Sequence, residues 1–451
     1  MNIKSNAIFI RGRGENLSSS GGKKALRASS LSTEKNLKIG VNSVFSYFPF
    51  ETTRTSYHRS IKGFFTDEYV KGEVIVECLS PEKVLKENSS LLTEYEKKEI
   101  LNYPEVYYIS NSTKKHNGKF CDEKGYYRAF VGDQISYRYE ISHLLGDGSF
   151  GIVVSCFDHK TQNPVAIKIL RKGKNFEEIG EHEVKALDSI ERDGFNDTII
   201  DKLDQFRFRG HFCIVFELLS TDLFSYLKKN QFQGMNVNVL RRIAVQMLIG
   251  LKHIHKSGLI HCDLKPENIL FKVMNKSSIK IIDFGSACEQ SNKLFTYIQS
   301  RYYRAPEVML DMDYNEKIDI WSLGCILFEM YTGTPLFVGR DEYEQLCKIV
   351  EVMGEFPSKM VRMSNRRNEL FDNDGKLLCV DEYMVETGSK RLSSILKNCD
   401  RGFIDFLSEC LRLDPKQRID AEQALSHPWI KGDKMKNSRS LRIYNKSSPF
   451  Y

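Results

Sequence analysis

The spacing of apolar and polar residues divides the middle of the chain into a strand-rich part and a helix-rich part. Runs rich in β-branched residues cover 139–170 and 212–218, and such runs predict β-strands. Four apolar residues between these runs recur at helical spacing and predict one helix: Ile179, Val184, Leu187 and Ile190. After residue 235 the apolar positions follow the helical period. We therefore expect a small β-rich unit followed by a larger helical one.

Two segments ahead of the strand-rich part differ in composition from ordinary linkers. Residues 91–110, LLTEYEKKEILNYPEVYYIS, predict a short helix and then an extended segment interrupted at Pro104. Residues 55–81 are rich in aromatic side chains, whereas flexible linkers are rich in Gly, Ser and Pro. We expect a folded region here.

The two ends of the chain are more basic than its middle. The chain has 451 residues, which predicts two to three folding units, and a formal net charge of +7. Residues 1–40 carry eight Lys or Arg against two Glu, and residues 431–451 carry six against one Asp. These ends, rich in Ser, Asn, Gly and Lys, predict disordered basic tails. Either they are simply solvated or they contact acidic partners or serve nuclear import.

The sequence predicts neither a membrane span nor a signal peptide. The longest apolar run is interrupted by Ser322 and Glu329, and the first residues hold too short an apolar stretch for a signal. The 11 cysteines are odd in number and include no C-x-x-C pair, which is typical of a reducing compartment. We expect a cytoplasmic or nuclear protein with no membrane partner and no specific nucleic-acid partner.

The stretch RYEISHLLGDGSFGIVV (138–154) places three glycines in the turn of a predicted hairpin: Gly146, Gly148 and Gly151. In a dinucleotide-binding fingerprint the glycines would open a helix. Here the β-branched run from Ile152 to Val154 follows and predicts a second strand, so the Rossmann interpretation fails. Two alternatives remain: the turn is merely tight, or its backbone lies against the phosphates of a nucleotide.

Polar residues downstream favour the phosphate interpretation. Lys168 ends an apolar strand, where an ammonium group without a partner is costly, and Glu183 could project towards it from the predicted helix. Asp263 and Asn268 share the loop HCDLKPEN, and Asp283 follows a β-branched run. Two acids and an amide suit magnesium. Each residue alone has an ordinary structural explanation, but in this order they match the parts that phosphoryl transfer needs.

These motifs resemble the eukaryotic protein kinases over residues 139–430. The matching segments are GDGSFGIV (146–153), VAIK (165–168), CDLKPEN (262–268), DFG (283–285), APE (305–307) and DIWSLG (319–324). The resemblance implies an α+β, bilobal fold that binds ATP between its lobes. The N-lobe (139–217) would be an antiparallel sheet with one key helix, and the C-lobe (218–430) mostly helical, with an N-terminal accessory region at 41–138. Glu307 and Arg418 would form a buried ion pair in the C-lobe.

The same resemblance assigns the site residues. Catalytic roles fall to four of them: Lys168, Glu183, Asp263 and Lys265. Lys168 would contact the α- and β-phosphates and pair with Glu183, Asp263 would accept or orient the substrate hydroxyl, and Lys265 would face the transferred phosphate. Two residues would hold Mg²⁺: Asn268 and Asp283. The ATP site would comprise Gly146, Gly148, Gly151, Val153, Ala166, Lys168, Phe216, Glu217, Leu219 and Leu270. Of these, Val153, Ala166 and Leu270 would enclose the purine ring, and Glu217 and Leu219 would offer backbone groups to it.

The loop HCDLKPENIL and the segment YIQSRYYRAPE resemble the DYRK family, the dual-specificity tyrosine-regulated kinases. Most kinases carry arginine where this chain has Cys262. The resemblance implies phosphorylation of Ser and Thr on proteins, with arginine upstream and proline downstream of the acceptor. It also implies autophosphorylation of Tyr297, whose phosphate would contact Arg301 and Arg304. Phe295 stands where the family has a first tyrosine.

The accessory region and the segment NQFQGMNV (230–237) resemble class II of that family. Residues 354–400 resemble the extra C-lobe segment of the wider kinase group. Two other functions remain open: a related kinase activated by an upstream enzyme, and a pseudokinase scaffold, which the presence of all the expected catalytic residues disfavours. Cys262 and Cys288 are either two ordinary buried thiols or a pair that oxidises reversibly.

Overall fold

The computed structural model describes residues 78–274, 276–291 and 297–432. Several predictions of the sequence lie outside these ranges: the tail at 1–40, the accessory segment up to residue 77, Phe295 and all but the first two residues of the tail at 431–451.

The accessory region opens the described chain with two short helices. They are α1 (Pro81–Glu87) and α2 (Glu94–Glu99), followed by 3₁₀ turns at Ser89–Leu91 and Ile100–Asn102. Thr93 starts α2 with a capping box, because its hydroxyl accepts from the Glu96 amide while the Glu96 carboxylate accepts from the Thr93 amide. The predicted short helix within 91–110 is thereby confirmed. The accessory region has a small hydrophobic core of its own, which includes Val84, Ile100, Val106 and Tyr137.

The N-lobe is a curled antiparallel sheet of six strands in the order β1-β2-β3-β4-β6-β5. The strands are β1 (Gln134–Ile135), β2 (Tyr139–Gly148), β3 (Gly151–Asp158), β4 (Asn163–Leu170), β5 (Lys202–Phe208) and β6 (His211–Glu217). The turn between β5 and β6 consists of Arg209 and Gly210, both with positive φ. One face of the sheet packs against the accessory region through Phe120, Tyr127 and their neighbours.

Helix α3 (Lys174–Arg192) covers the other face of the sheet. Val184, Leu187 and Ile190 are buried as the helical spacing predicts, and Glu183 is buried beside them. Gly180 lets the helix approach closely, because a Cβ there would lie 2.4 Å from a Leu170 methyl group.

The C-lobe is mainly helical. Its helices are α4 (Leu223–Lys229), α5 (Val237–Lys256), α6 (Pro306–Met309), α7 (Lys317–Thr332), α8 (Glu342–Met353), α9 (Ser358–Met363), α10 (Arg367–Leu370), α11 (Leu392–Ile395), α12 (Arg401–Cys410), α13 (Ala421–Leu425) and α14 (Pro428–Lys431). Helix α7 is buried on all sides, as expected for a helix that is apolar around its whole circumference.

Two small antiparallel ribbons bring the predicted catalytic segments together beneath the N-lobe. Their strands are β7 (Leu259–Ile260) with β10 (Cys288–Glu289), and β8 (Ile269–Phe271) with β9 (Ile279–Ile281). The loop that carries Asp263 leaves β7 and enters β8, whereas Asp283 follows β9.

The predicted fold class, α+β and bilobal, is confirmed. Within the described ranges, no helix combines the length and the apolar character that crossing a bilayer requires.

Candidate active site

The glycine-rich turn joins β2 to β3, and its three glycines differ in their surroundings. A Cβ placed on Gly146 or Gly148 would meet no protein atom within 4 Å. A Cβ on Gly151 would lie 2.2 Å from the Ile169 carbonyl oxygen, so this position requires glycine for the pairing of β3 with β4. The space above Gly146 and Gly148 fits a ligand that approaches the backbone, whereas Gly151 is explained by the sheet itself.

Three charged residues from three elements meet at the centre of the cleft. The Lys168 ammonium on β4 lies 2.7 Å from the Glu183 carboxylate on α3 and 3.0 Å from the Asp283 carboxylate. The structure thus brings together residues that stand 115 positions apart in the chain. Asp283 has a φ of +63°, a conformation that Asp tolerates better than bulkier residues.

The charges of this trio are fixed by their mutual contact. Burial alone would lower the pKa of the Lys168 ammonium, but the carboxylates of Asp283 and Glu183 raise it above its usual value. Burial alone would raise the pKa of Asp283, but Lys168, followed by Lys265 and His261, lowers it to about 2. Lys168 is therefore cationic and Asp283 anionic at neutral pH.

The catalytic loop holds Asp263 in a defined orientation. One carboxylate oxygen accepts from the Ser300 hydroxyl at 2.8 Å, and the other accepts from the Lys265 ammonium at 2.6 Å. Asn268 donates its amide N–H to the Asp263 carbonyl oxygen at 2.8 Å. Asp263, Lys265 and Asn268 thus form one connected group, tied to the activation segment through Ser300.

Asp319 is a residue of the site whose role the sequence analysis missed. Its buried carboxylate accepts from the backbone amides of His261 and Cys262, at 2.9 and 3.1 Å, and contacts His255. Cys262 has a φ of +65°, and these hydrogen bonds hold the loop in that strained conformation. An aspartate inside the otherwise apolar start of α7 was the signal that could have revealed it.

The predicted purine pocket lies between β3, β4 and the segment after β6. Ala166 and Phe216 pair directly across β4 and β6, and Val153 pairs with Lys168. Leu219 and Leu270 are half-buried in the C-lobe wall. The apolar residues predicted to enclose a ring thus line one region of the cleft.

Glu217 has a side-chain role besides the backbone one expected for it. Its carboxylate pairs with the buried ammonium of Lys280 on β9, which also lies 2.9 Å from Asp201. Lys280 therefore links the segment that connects the lobes to the strand before Asp283, a contact that the sequence analysis did not anticipate.

The activation segment brings Tyr297 to one of its two predicted partners. The Arg304 guanidinium lies over the Tyr297 ring at 3.9 Å from its centre, and it donates to the carbonyl oxygens of Ile298 and Gln299. Arg301 instead donates to the Gly339 and Arg340 carbonyl oxygens. Arg304 is thus placed beside Tyr297, the predicted phosphorylation site, while the Arg301 side chain is directed to the segment before α8.

Cys262 and Cys288 lie side by side. Their sulfur atoms are 3.4 Å apart and both residues are buried. The predicted closeness is confirmed, and whether the pair oxidises stays a prediction.

The chemistry of the donors is suited to a divalent cation bound with phosphate. The Asn268 amide nitrogen is engaged, which leaves its oxygen as the atom for a cation, and Asp283 is ionised. No group of three or more His, Cys, Asp or Glu side chains fit to hold a metal occurs in the described part of the chain. A cation here would therefore complete its shell with phosphate oxygens and water, as magnesium does in such sites.

Comparison with known proteins agrees with this geometry. Residues 139–430 match the model of the protein kinase domain. Dual specificity tyrosine-phosphorylation-regulated kinase 3 of Macaca fascicularis is 42% identical over 382 residues, which cover 78% of this chain and 67% of the relative. The chain belongs to the DYRK family of protein kinases.

Other DYRK relatives give the same result. Dual specificity tyrosine-phosphorylation-regulated kinase 3 of Homo sapiens is 42% identical over 382 residues. The probable serine/threonine-protein kinase dyrk2 of Dictyostelium discoideum is 43% identical over 365 residues. The chain spans 65% of the length of the human relative and 40% of the Dictyostelium one.

Proposed function

We propose that this DYRK-family chain is a dual-specificity protein kinase, which transfers the terminal phosphate of ATP to Ser and Thr of proteins and to its own Tyr297. The observation that carries the proposal is the contact of Lys168 with both Glu183 and Asp283. This arrangement is the one that an active kinase cleft requires, because a lysine aligned by the helix and an acid aligned by the lysine can meet one phosphate chain.

The residues of the catalytic loop would handle the acceptor hydroxyl. Asp263 would accept or orient its proton, and Ser300 holds one oxygen of that carboxylate in place. Lys265, now on the other oxygen, would turn to the transferred phosphate. Asn268 and Asp283 would hold Mg²⁺, which neutralises charge on the phosphate oxygens when bound.

Activity measured on the purified full chain tests the proposal. With ATP and a generic Ser/Thr acceptor protein, Asp263→Asn should reduce phosphate transfer about 10²–10⁴-fold, because a positioned base is lost. Glu422→Gln, on the exposed face of α13, is the matched control and should leave the rate unchanged. An inert wild-type chain that still binds ATP would favour the pseudokinase alternative instead.

The activation segment supports autophosphorylation of Tyr297. Its ring is half-exposed beneath the Arg304 guanidinium, whose Nη1 has no hydrogen-bond partner among the described residues and lies 3.5 Å from the Glu342 carboxylate. A phosphate on Tyr297 would offer acceptors to that nitrogen. Expression in bacteria, which would supply no activating kinase, should yield phosphorylated Tyr297 in wild type and none in Asp263→Asn.

Two outcomes would contradict autophosphorylation of Tyr297. Soluble, ATP-binding wild-type protein without phosphate on Tyr297 would favour activation by an upstream kinase. Tyr302 is half-buried in the same segment. Phosphate on Tyr302 and none on Tyr297 would show that Tyr297 is not the tyrosine that is phosphorylated.

Acidic residues near Asp263 support substrates with arginine upstream of the acceptor. The side chain of Glu267 reaches the surface, and desolvation of its carboxylate, together with the charges of Asp222 and Asp263, raises the pKa of Glu267. A substrate guanidinium would offset this concentration of negative charge. The expected preference for proline after the acceptor would depend on Arg304, which is bonded to the backbone just before it.

An oriented peptide library tests the substrate proposal. Wild type should prefer arginine upstream, and Glu267→Gln should weaken that preference about tenfold, as the loss of a charge-assisted contact would. An unchanged preference in this variant would remove Glu267 from the proposal. The location of the protein is a separate proposal. The 11 free cysteines of the chain fit a reducing cytoplasmic or nuclear location, and fractionation of cells would test it.

A further inference from the structure

A second pair of thiols lies in the C-lobe, away from the active site. Cys347 is on α8 and Cys379 is in the 3₁₀ turn Leu378–Val380, and their sulfur atoms are 3.0 Å apart. Cys347 is fully buried, whereas Cys379 is 8% exposed. Nothing in the proposed catalytic mechanism uses these residues.

The two elements are held against each other on both sides of the pair. Tyr383, just after the turn, donates its hydroxyl to Asp341 at the start of α8 at 2.9 Å. Further on, the backbone amides of Gly388 and Lys390 donate to the carbonyl oxygens of Val350 and Glu351. The sulfur atoms therefore stay adjacent without relying on their own contact, and a movement of about 1 Å would bring them to the disulfide distance of about 2.05 Å.

The two sulfur atoms differ in acidity in a way that suits oxidation. The hydrogen bond between the two thiols lowers the pKa of Cys379 and raises the pKa of Cys347. The thiolate is the form that attacks oxidants. Cys379, the more exposed of the two, would therefore react first, and Cys347 lies in position to resolve it.

The pair near the active site differs in exposure and in thiol acidity. The Cys262 and Cys288 sulfur atoms are 3.4 Å apart and no more than 1% of either residue is exposed. Burial raises the pKa of the Cys262 thiol well above its usual value. This pair is a matched internal comparison, because it has a similar sulfur separation but less exposure, and its Cys262 thiol ionises less readily than the Cys379 thiol.

We propose that Cys347 and Cys379 form a reversible disulfide that joins the 354–400 segment to α8 when a peroxide is present. The Cys379 thiolate attacks one peroxide oxygen, the O–O bond breaks, and sulfenic acid and hydroxide result. The Cys347 sulfur then displaces the hydroxyl group of the sulfenic acid; its proton and that hydroxyl group leave as water. The two sulfur atoms are oxidised, the peroxide is reduced, and a dithiol reductant restores both thiols.

The bond would fasten the two walls of a surface cleft. The cleft, about 440 Å³ in volume, is lined by Arg340, Asp341, Glu344, Glu382, Tyr383 and Met384. Its first three residues precede or belong to α8, and the other three follow the Cys379 turn. The disulfide would limit how far these walls move apart.

Peptide mapping of the purified full chain tests the proposal. Reduced protein is titrated with hydrogen peroxide until the exposed thiol of Cys78 is oxidised, free thiols are alkylated, and the protein is digested without reduction. We expect a Cys347–Cys379 linked peptide in the monomer, lost on treatment with dithiothreitol, at doses that leave Cys262 and Cys288 alkylated. Cys347→Ala should trap Cys379 as a sulfenic acid that reacts with dimedone.

Other results would overturn the proposal. Alkylation of both Cys347 and Cys379 after Cys78 has reacted would show that the pair does not oxidise. A link from Cys379 to any cysteine other than Cys347 would show that Cys347 does not resolve it. Limited proteolysis gives an independent measurement: oxidised wild type should be cleaved several-fold more slowly within 371–391 than reduced wild type, and Cys379→Ser should show no such difference.

Discussion

Among the described residues, Arg418 and Arg209 both have almost fully buried side chains, and their surroundings differ. Arg418 lies inside the C-lobe, whereas Arg209 lies between the N-lobe sheet and the accessory region. The first forms a closed pair with one carboxylate, and the second is shared among several acids from separate segments. The difference separates a contact that stabilises one lobe from a contact that joins two parts of the chain.

The Arg418 site is complete by itself. The guanidinium binds the Glu307 carboxylate through two hydrogen bonds, of 2.6 and 2.9 Å, as the sequence analysis predicted. Its remaining N–H groups donate to the carbonyl oxygens of Arg412, Lys317 and Leu413. All five donors are satisfied and the two charges cancel, which is the condition under which a buried ion pair is tolerated.

The Arg209 site has more negative than positive groups. Arg209 donates to Glu99 at 2.9 Å and to Glu96 at 3.4 Å, and it also contacts the Tyr127 hydroxyl, which donates to Asp133. Lys115 pairs with Glu96 at 3.1 Å. Three carboxylates thus share two cations. Burial, only partly offset by Arg209, raises the pKa of Asp133 to about 6.

The backbone at Arg209 is adapted to this contact. Arg209 and Gly210 both have positive φ, so they form the primed two-residue turn that usually carries Asn or Asp before glycine. An arginine in this conformation costs about 1–2 kcal/mol. Its ion pairs and its position 3.9 Å above the Phe120 ring offset that cost.

The largest effect is expected from opening the closed pair. Arg418→Met would leave the Glu307 carboxylate buried without a partner and should reduce the free energy of unfolding by about 4–5 kcal/mol. Chemical denaturation measures it. The double variant Glu307→Leu with Arg418→Met should recover part of the loss, but not all, because three carbonyl oxygens would still lack donors. If the double variant is no more stable than Arg418→Met, the balance of the two charges does not determine the stability of the site.

Arg209→Met should have a smaller and more local effect. Glu99 is partly exposed and Lys115 remains, so we expect a loss of about 3 kcal/mol, at the lower end of the range for a broken buried pair. Hydrogen exchange should increase in residues 94–109 and stay unchanged in α7. Arg207→Met is the matched control, since Arg207 is 62% exposed on the same hairpin and its ion pairs are screened by water, so its loss should change stability much less. Equal effects of the two variants would contradict the comparison.

The sequence predicted these regions unequally because their signals differ in range. Lys168, Asp263 and Asp283 stand in motifs a few residues long, so their chemistry could be recognised before their distances were known. Arg209 and Asp319 act through partners 110 and 58 positions away. The apolar neighbours of Asp319 indicate a buried carboxylate, but no residue near either one in the chain indicates which partner it meets. The β-branched runs and the helical spacing predicted the elements, but not which buried charges meet between them.

The excess of acids at the Arg209 site should make it sensitive to pH. Because the pKa of Asp133 is raised from 3.8 to about 6, the folded state holds its proton more tightly than the unfolded state. Its contribution to stability is full below pH 4 and is lost as the pH rises through 6, at most about 3 kcal/mol. Asp133→Asn should remove this slope.

The measurement is the difference in unfolding free energy between Asp133→Asn and wild type at pH 4 and at pH 7. Other titrating groups cancel in that difference. Relative to wild type, Asp133→Asn should be about 2–3 kcal/mol more stable at pH 7 than at pH 4. A difference between Asp133→Asn and wild type that is the same at pH 4 and at pH 7 would refute the proposed imbalance.

The smallest effect concerns how the accessory region reaches the active site. The Tyr126 hydroxyl donates to the Gly148 carbonyl oxygen in the glycine-rich turn at 2.9 Å, and Arg171 lies over its ring while donating to Ser149. Tyr126→Phe keeps the ring and removes one hydrogen bond at an exposed position, worth about 0.5–1 kcal/mol. If that bond positions the turn over the phosphates, the KM for ATP should rise about two- to fivefold with kcat nearly unchanged.

The matched control is Tyr107→Phe, which removes a phenol hydroxyl that bonds to Glu105 and Lys160 and not to the glycine-rich turn. Its KM for ATP should equal that of wild type. Because Arg209 fastens the region that carries Tyr126, Arg209→Met should raise the KM at least as much as Tyr126→Phe, and the two changes combined should add little further. Fully additive effects would mean that the hydroxyl and the buried arginine act on the turn independently, and the accessory region would then not be one unit.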